Sequence, residues 1–364
     1  MESESLEPAV EYLKNIDEDD QVAIIHHWDM DGTSSSVIIS KILEKLRGRP
    51  ADEVTIPAKR AYHLSDEDRQ MLEDKTKILI LDFNLAADEL EDLNGNYGDV
   101  LVVDHHNFDR VPDVPFVNPR EADADAYVPC SKICLDIASN FGLEDDLRWI
   151  AGLGVIQDFG VSSCKDLFED LEEDYEAYLP ETLEQQELAK NCEYGRYSSV
   201  LNIKPYRDSA HFAKLAYQAL MSSNDLKELE AQEAYRKIYE VYLEMQDEFN
   251  IAVEDYDEDR EIDRQKMVIF FELESDFHIT SSIATNMSAK TPEWIHLVVQ
   301  RGEEINVSAR CQSGRVDLGE LMQEALPEES LEDGAEAGGH RKAAGASMQP
   351  EYYEEFKDNF KHLI

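Results

Sequence analysis

Basic residues are scarce in this chain of 364 residues. Lys and Arg number 34 against 80 Asp and Glu, which gives a formal net charge of −46 and an isoelectric point near 4.4. The acid is spread along the whole chain and forms no single tail. Abundant surface carboxylates keep a protein hydrated in concentrated salt, so the composition favours a halophilic, archaeal cytosol. Such acidity argues against nucleic acid as a partner, but in molar salt counterion release adds little to that affinity in any case.

Long apolar runs and a signal peptide are also missing. No run approaches the length that spans a bilayer, and the first residues, MESESLEPAVEYL, are acidic. We therefore expect a soluble, cytoplasmic protein with no membrane partner. Cysteine is rare as well, and the five cysteines have no second pair at zinc-finger spacing. Cys130 and Cys134 are interpreted as buried thiols and not as zinc ligands.

The first part of the chain alternates short apolar strands with helices. The predicted strands are Val22–Ile25, Ala51–Ile56, Lys77–Asp82 and Asp99–Asp104. The predicted helices between them are Ser34–Leu46, Leu64–Leu72 with Ser65 as N-cap, and Asp88–Leu93. Such alternation predicts an α/β fold with a doubly wound, mostly parallel sheet that is covered on both faces.

The rest of the chain predicts two further segments. Cys130–Phe141 and Asp146–Ile156 are expected to form a helical hairpin that runs into Gln157–Gly160. Residues 166–263 are polar, acidic and helical in pattern, and strands alternate with helices again after Lys266. We therefore predict an N-terminal domain at 1–165, a helical connector at 166–263 and a smaller α/β domain at 264–364.

The most informative stretch is QVAIIHHWDMDGTSSS, which begins at Gln21. A buried strand is followed here by two histidines, two aspartates and a helix that we expect Gly32 to open. Asp29 and Asp31 are two residues apart, so on an extended backbone both carboxylates face the same side. Crowded carboxylates repel each other, and a bound divalent cation is the usual relief. The alternative is an Asx-rich turn that caps the next helix.

Acids also follow two later strands. Asp82 and Asp104 each end a strand, and Asp158 follows a helix. Because a parallel sheet brings the carboxyl ends of its strands to one edge, we expect these acids to converge with His27 and His105. Mixed carboxylates and imidazoles suit Mn²⁺, with Mg²⁺ or Co²⁺ as substitutes. Two metals about 4 Å apart would polarise a phosphate and turn a shared water into hydroxide.

Taken together, these segments resemble a known family. IHHWDMDGTSS, LILD, VVDHH and IQD are similar to the four motifs of the DHH phosphoesterase superfamily, named for the triplet found here as Asp104–His105–His106. The stretch VSARCQSGRVDLGEL…AGGHRKAAGA resembles the C-terminal DHH-associated domain of the RecJ-like branch. The similarity covers both ends of the chain in the right order, whereas the middle offers no motif.

The resemblance implies two sets of metal ligands that share one carboxylate. One metal would be held by His27, Asp29 and Asp82, and the other by Asp31, Asp82, His105 and Asp158. Asp82 would bridge the two, and the nucleophile would be the water between the metals. The His-x-Asp-x-Asp spacing favours His27 as the first ligand, with His26 as the second choice.

The resemblance also implies roles for the two other residues of the triplet. His106 would contact the scissile phosphate or assist proton transfer. Asp104 would orient an imidazole from outside the ligand set.

In the C-terminal domain, the resemblance implies a substrate-binding loop. Gly338 and Gly339 permit a close backbone approach to a phosphate, and their amides can donate to it. His340 would reach the phosphate or a base, and Arg310 could hold a phosphate in bidentate fashion. The family often has a third glycine where Ala337 stands here. The alternative for the GGH run is a tight turn before a helix.

The superfamily's shared chemistry is phosphodiester hydrolysis by metal-activated hydroxide. Ile25 stands where the nanoRNase, pAp-phosphatase and cyclic-dinucleotide phosphodiesterase branches usually place a histidine. The segment is closer to the His-x-Asp-x-Asp-Gly form of archaeal RecJ-like nucleases, and GGHRKAAG argues against the family-II pyrophosphatases. We therefore predict a manganese-dependent, single-strand-specific exonuclease that acts on DNA or RNA in replication or repair.

Two alternatives are kept. The enzyme could instead be a phosphodiesterase for short oligonucleotides or cyclic dinucleotides. The chain could also act mainly as a binding partner in a replisome or helicase assembly. Retention of every ligand-type residue argues against an inert scaffold, although an active nuclease can still bind a replication or repair protein.

The charge balance generates the first prediction. If the surface is adapted to salt, the melting temperature should rise steeply as KCl increases from low to molar concentration, because the ions screen repulsion among the carboxylates. Thermal unfolding monitored by circular dichroism across a KCl series measures this. A protein that is equally stable at low and molar KCl would contradict the halophilic interpretation.

Overall fold

The computed structural model of the protein describes residues 3–58 and 62–364. They divide into two compact units. The first unit contains the chain up to Lys204 together with Asp208–Glu240, and the second contains Pro205–Arg207 and Val241–Ile364. The predicted division at residues 165 and 263 stays a prediction. Along the described ranges, no helix is both long enough and apolar enough to cross a membrane.

A five-stranded parallel sheet forms the centre of the first unit. Its strands are β1 (Val22–His26), β2 (Glu53–Thr55), β3 (Lys77–Leu81), β4 (Asp99–Val103) and β5 (Phe116–Val117). The order across the sheet is β2-β1-β3-β4-β5, and all paired strands are parallel. All of β1 is buried, and so are β3 and β4 beyond their first residues. This confirms the predicted doubly wound sheet, whose strands are apolar because both faces are covered.

Helices connect these strands and continue beyond the sheet. Their bounds are α1 (Ser3–Lys14), α2 (Met30–Arg47), α3 (Asp66–Met71), α4 (Ala87–Asn96), α5 (Cys130–Ser139), α6 (Glu144–Gln157), α7 (Lys165–Tyr175), α8 (Gln185–Lys190), α9 (Glu193–Leu201), α10 (Ser209–Met221), α11 (Leu226–Ala231) and α12 (Glu233–Asp259). Ser65 caps α3 as predicted, in a reciprocal capping box with Asp68. The helices α5 and α6 pack as the predicted hairpin, and α2 packs against both.

The strand order places the predicted site residues side by side. β1 lies between β2 and β3, so the direction in which strands are added reverses at β1. Ligands of open α/β sheets bind outside the carboxyl ends of the strands at such a point. His27 follows β1, Asp82 follows β3 and Asp104 follows β4. Because these three strands are neighbours, their ends form one edge of the sheet.

The second unit is built on a mixed six-stranded sheet. Its strands are β6 (Glu261–Asp263), β7 (Val268–Leu273), β8 (Ile295–Gln300), β9 (Ile305–Arg310), β10 (Glu336–His340) and β11 (Ala343–Met348), in the order β10-β11-β9-β8-β7-β6. Its helices are α13 (Thr280–Lys290), α14 (Leu318–Ala325), α15 (Glu328–Glu332) and α16 (Tyr353–Leu363). One face carries an apolar core that includes Val299, Val307, Phe356 and Phe360. The predicted smaller α/β fold is confirmed.

The GGH run lies in a hairpin, and the alternative of a tight turn before a helix is wrong. Gly338, Gly339 and His340 end β10, which pairs antiparallel with β11 across a two-residue connection. Gly339 has φ +140, and a Cβ on it would lie 2.5 Å from the main-chain oxygen of Ala343. Only glycine fits there. Ala337 packs against the core. The hairpin therefore does not need the backbone freedom that a third glycine would give at this position.

Candidate metal centre

The six side chains predicted as metal ligands come together in two groups. The candidate ligand atoms of His27, Asp29 and Asp82 all lie within 4.8 Å of one another, and the same holds for those of Asp31, His105 and Asp158. One oxygen of Asp82 is 3.2 Å from His105 Nε2, and the other is 3.7 Å from His27 Nδ1. Asp82 therefore lies between the two groups, where a bridging ligand is expected.

The backbone of Asp82 is turned to make this possible. Its amide donates to Val103 O at 2.9 Å, which continues the sheet pairing one residue beyond β3. The residue then adopts φ +54, in the left-handed region. Asp and Asn enter this region more readily than other residues with side chains. The carboxylate is thereby fixed at the strand end, with the residue only 1% exposed.

Several buried polar atoms in this cluster have no hydrogen-bond partner. Within the described part of the chain, they are both carboxylate oxygens of Asp82, both ring nitrogens of His105 and Nδ1 of His27. His27 Nδ1 is only 2.6 Å from Asp29 Oδ2, but the two lack hydrogen-bond geometry. Leaving such groups unsatisfied is costly. Carboxylate oxygens and imidazole nitrogens that face one another in this way are suitable ligands for a pair of divalent cations.

Asp31 is held by a different element from the other acids. Its carboxylate accepts the amides of Cys130 at 2.7 Å and Ser131 at 3.0 Å, and also the Ser131 hydroxyl. These groups form the N-terminus of α5, where the helix dipole favours a negative charge. A Cβ on Gly154 would lie 2.5 Å from Ser131 Oγ and 2.9 Å from Asp31 Oδ1. Only a glycine on α6 leaves room for this contact.

The prediction that Asp29 and Asp31 face the same side of an extended backbone is wrong. The helix α2 begins at Met30 and not at Gly32, so Asp31 already lies in its first turn. Asp29 is the N-cap, because its Oδ1 accepts the amide of Gly32 at 3.1 Å. One oxygen of Asp29 thus caps α2, as in the capping alternative, while the other oxygen lies beside His27.

The choice between the two adjacent histidines is clear in the structure. His26 ends β1 and its Nδ1 is 2.8 Å from the main-chain oxygen of His27. Burial lowers the pKa of His26 to about 4 and keeps its ring neutral. Its ring is absent from the described groups of candidate ligands, whereas His27 is present. The assignment of His27 as a ligand stays a proposal that this placement supports.

Asp104 and His106 form a hydrogen-bonded pair, and together with Asp82 and His105 they make a third group whose candidate ligand atoms lie within 4.8 Å of one another. His106 Nδ1 lies 2.8 Å from Asp104 Oδ1, which also accepts the amide of His105 at 2.8 Å. Burial alone would lower the pKa of His106, but the hydrogen bond to Asp104 and its charge outweigh burial and raise that pKa. The carboxylate of Asp104 thus orients His106, whose side chain is 31% exposed and can reach a substrate.

Three supporting residues were missed at the sequence level. The Tyr127 hydroxyl is 2.7 Å from Asp158 Oδ2 and 2.6 Å from its main-chain oxygen. The side-chain amide of Asn118 donates to the main-chain oxygen of His106, and Arg120 Nε donates to the main-chain oxygen of His105 at 2.7 Å. Asn118 and Arg120 belong to the VNPR segment, residues 117–120, and their side chains hold the backbone of the DHH triplet in place. These polar residues were the available signal.

Burial and the charges of neighbouring acids raise the pKa of three carboxyl groups in the cluster. Burial and the charge of Asp158 raise the pKa of Asp31 to about 6. Burial and the charge of Asp29 do the same for Asp158, despite the Tyr127 hydrogen bond. Asp82 is affected most, because burial and four neighbouring carboxylates raise its pKa well above the ordinary value. The cluster therefore stores electrostatic repulsion that divalent cations would relieve.

The predicted substrate residues lie together in the second unit. Arg310 on β9 and His340 on β10 both pair with Ala343 of β11, which places the three side chains on the same sheet face. Arg310 donates to Ser281 Oγ at 2.7 Å and Thr285 Oγ1 at 3.2 Å. Burial lowers its pKa, and no ion pair of Arg310 is found within the described ranges. Its guanidinium is thus positioned but not neutralised.

Comparison with known proteins agrees with this architecture. The DHH family, N-terminal domain, matches residues 21–159, and the DHHA1 domain matches residues 264–364. The chain therefore belongs to the DHH family, and its fold is similar to that of RecJ over the whole chain. A search of curated proteins finds no match.

Three solved structures show the extent of the similarity. Exonuclease RecJ bound to manganese has a TM-score of 0.71 at 18% identity, with 99% of this chain and 94% of that chain covered. RecJ from Thermus thermophilus in complex with Mn²⁺ has a TM-score of 0.70 at 18% identity, covering 100% and 55%. CDC45 from Entamoeba histolytica has a TM-score of 0.60 at 11% identity, covering 98% and 99%. At these identities the similarity concerns the fold.

The stored repulsion generates a prediction for Asp82→Asn. In metal-free protein near neutral pH this variant should be more stable than the wild type, by about 1–3 kcal/mol, because Asn removes the cost of burying an ionisable carboxyl, ionised or protonated, among other carboxylates. Asn also tolerates the left-handed backbone at this position. Urea unfolding in EDTA measures the difference, with the exposed Asp19→Asn as a matched control. A metal-free Asp82→Asn that is less stable than the wild type would show that the cluster is not strained by charge.

The raised pKa values predict how metal stabilisation depends on pH. Asp31 and Asp158 titrate near 6 in the fold instead of at their ordinary 3.8, so the folded state holds more protons between those values. Stability of the metal-free protein due to these groups therefore falls as pH rises through this window. We expect Mn²⁺ to raise the melting temperature more at about pH 7.5 than at about pH 5. An equal or larger increase at the lower pH would contradict this.

Proposed function

We propose that this protein is a RecJ-like, single-strand-specific exonuclease that hydrolyses phosphodiester bonds with two divalent cations, Mn²⁺ being the first choice. The observation that carries the proposal is the set of buried, unpartnered atoms of Asp82, His105 and His27, which lie between two groups of carboxylates. In the structure, none of these atoms has a hydrogen-bond partner among the described residues. Cations at both groups would satisfy them.

The proposed ligand sets are those implied by the resemblance. His27, Asp29 and Asp82 would hold one cation, and Asp31, Asp82, His105 and Asp158 the other. When bound, such a pair supplies Lewis acidity to the phosphate and lowers the pKa of water. The family's known metal chemistry and the manganese in the similar RecJ structures support this choice.

The residues around the ligands have separate tasks. Asp104 holds His106 so that its other ring nitrogen is free for the substrate. The hydrogen bond and the charge of Asp104 raise the pKa of His106 and so favour the protonated ring, which can donate its proton to a phosphate oxygen or to the leaving oxygen. Asn118 and Arg120 fix the main chain of the two histidines and so keep this geometry.

The second unit would contribute phosphate and base contacts of its own. Arg310 keeps an uncompensated charge on a sheet face that it shares with His340. The adjacent backbone at Gly338 has no side chain, so a ligand can approach the strand closely. Such local cations are valuable in a chain with a net charge of −46, because its general field repels nucleic acids. The high acidity also supports a place in the cytoplasm of a halophile.

A phosphodiesterase for short oligonucleotides or cyclic dinucleotides is the second candidate. The same ligand set would serve that chemistry, and the substrate face of the second unit does not by itself demand a polymer. A third candidate is a non-catalytic replication factor, which is considered because the fold is similar to that of CDC45. The complete set of converging donors favours an enzyme over that role.

Product analysis on end-labelled single strands, in molar KCl with Mn²⁺, tests the proposal. A ladder of progressively shortened products is expected from the wild type. Asp82→Asn should lose activity by at least about a thousandfold, because both ligand groups lose their shared donor. Asp19→Asn is the matched control and should cut at the wild-type rate.

Other outcomes of this experiment would contradict the proposed function or the role of Asp82. Cleavage confined to two- to five-nucleotide substrates would contradict the exonuclease and favour the second candidate. Absence of turnover with firm binding to a replication protein would favour the third. Near-normal turnover by Asp82→Asn would refute the bridging role of this carboxylate.

A further inference from the structure

One aromatic residue beside the proposed metal centre has no structural use for its ring. Phe159 follows Asp158 directly, and its residue is 73% exposed. This is the highest exposure among the large hydrophobic residues of the described ranges that are exposed at all. Its ring has no aromatic neighbour there either, so it contributes nothing to the core. Exposure of this kind is common for a single surface residue, but the backbone conformation of Phe159 is uncommon for a residue with a side chain.

Phe159 occupies a backbone position that normally belongs to glycine. The end of α6 is a Schellman motif, in which Gly160 N donates to Val155 O at 3.0 Å and Phe159 N donates to Ile156 O at 3.3 Å. Phe159 is the residue after the C-cap and has φ +56. Glycine is the usual residue at this position because a side chain is strained there. The chain therefore holds an exposed phenylalanine in a strained conformation that burial of the ring does not compensate.

The frame that carries this ring is well fixed. Tyr127 anchors Asp158 through the contacts described above. Gln185 donates to Ile156 O at 2.8 Å and accepts the amide of Val161 at 3.2 Å, so both sides of the turn are tied to α8. The ring therefore belongs to a rigid turn whose preceding residue points its carboxylate at His105, with Asp158 Oδ2 3.5 Å from His105 Nε2. Strained residues on rigid turns next to reactive groups are concentrated at functional sites.

We propose that Phe159 is a specificity-determining residue that stacks on a nucleobase of single-stranded nucleic acid next to the scissile phosphodiester. This rests on the proposed function, which it deepens. A phosphate held at the cation site brings its own nucleotides past the neighbouring turn, and a free aromatic face is the chemistry that recognises a base without regard to sequence. Stacking also survives molar salt, whereas contacts of Lys and Arg with phosphates are screened there.

The test is a double-mutant cycle, in which removal of this ring is combined with removal of a single base from the substrate. Phe159→Asn removes the ring but suits the left-handed backbone, and Phe159→Trp keeps an aromatic face. Each is assayed in Mn²⁺ and molar KCl on one single strand and on versions with one abasic nucleotide at successive positions. The exposed Leu46→Asn, at the far end of α2, controls for loss of a surface hydrophobic group.

The expected result is a matched, non-additive loss. Phe159→Asn should lower kcat/KM on the normal strand about tenfold, and Phe159→Trp should retain most of it. One abasic position should cost the wild type a similar factor and cost Phe159→Asn nothing more. Additive losses at every position, or an unchanged kcat/KM in Phe159→Asn, would overturn the inference.

Two further readings separate this inference from the proposed function. If the wild type degrades single strands but shows no coupling between Phe159 and any base, only the stacking role fails. If the wild type hydrolyses no phosphodiester, the proposed function fails and the stacking role fails with it. Phe159→Gly should also raise the melting temperature, since glycine relieves the strained backbone. An unchanged or lower melting temperature would contradict the premise that the fold tolerates strain to present this ring.

Discussion

Electrostatic repulsion among buried carboxylates is the constraint around which the first unit is built. Asp31, Asp82 and Asp158 converge where the parallel sheet reverses its order, in surroundings that exclude most water. The fold brings them together through separate elements, each with its own anchor: α5 holds Asp31, a left-handed turn holds Asp82, and Tyr127 holds Asp158. Burying like charges together lowers the stability of the fold, and the proposed cations would compensate for this loss because only the folded state could bind them.

The acidity of the chain also limits how the proposed site can recognise nucleic acid. A chain with so few cations cannot attract nucleic acid through its general field. Recognition is therefore expected to depend on short-range groups: the proposed metal pair, the uncompensated Arg310 and the exposed ring of Phe159. Each of these acts at contact distance, where salt screens least.

The sequence predicted the strands and the convergence of the ligand residues because strand ends in a parallel sheet must share an edge. It could not predict the conformations that aim the side chains. The sequence analysis predicts the start of α2 two residues too late, because Asp29 is both a cap and a predicted site residue and the pattern alone gives Gly32 more weight. The hairpin of the GGH run was missed because glycines and alanines carry no strand periodicity. Tyr127, Asn118 and Arg120 act through contacts far apart in sequence, which no local pattern reveals.

The stoichiometry of metal binding tests the central claim most directly. Metal-free protein in molar KCl is titrated with Mn²⁺ at about neutral pH, and bound metal is counted by calorimetry and by elemental analysis of the dialysed complex. The account predicts two ions for each chain, with loss of tight binding at both sites when Asp82 is replaced by Asn. Uptake of no tightly bound metal by the wild type, or two ions retained by the variant, would contradict it.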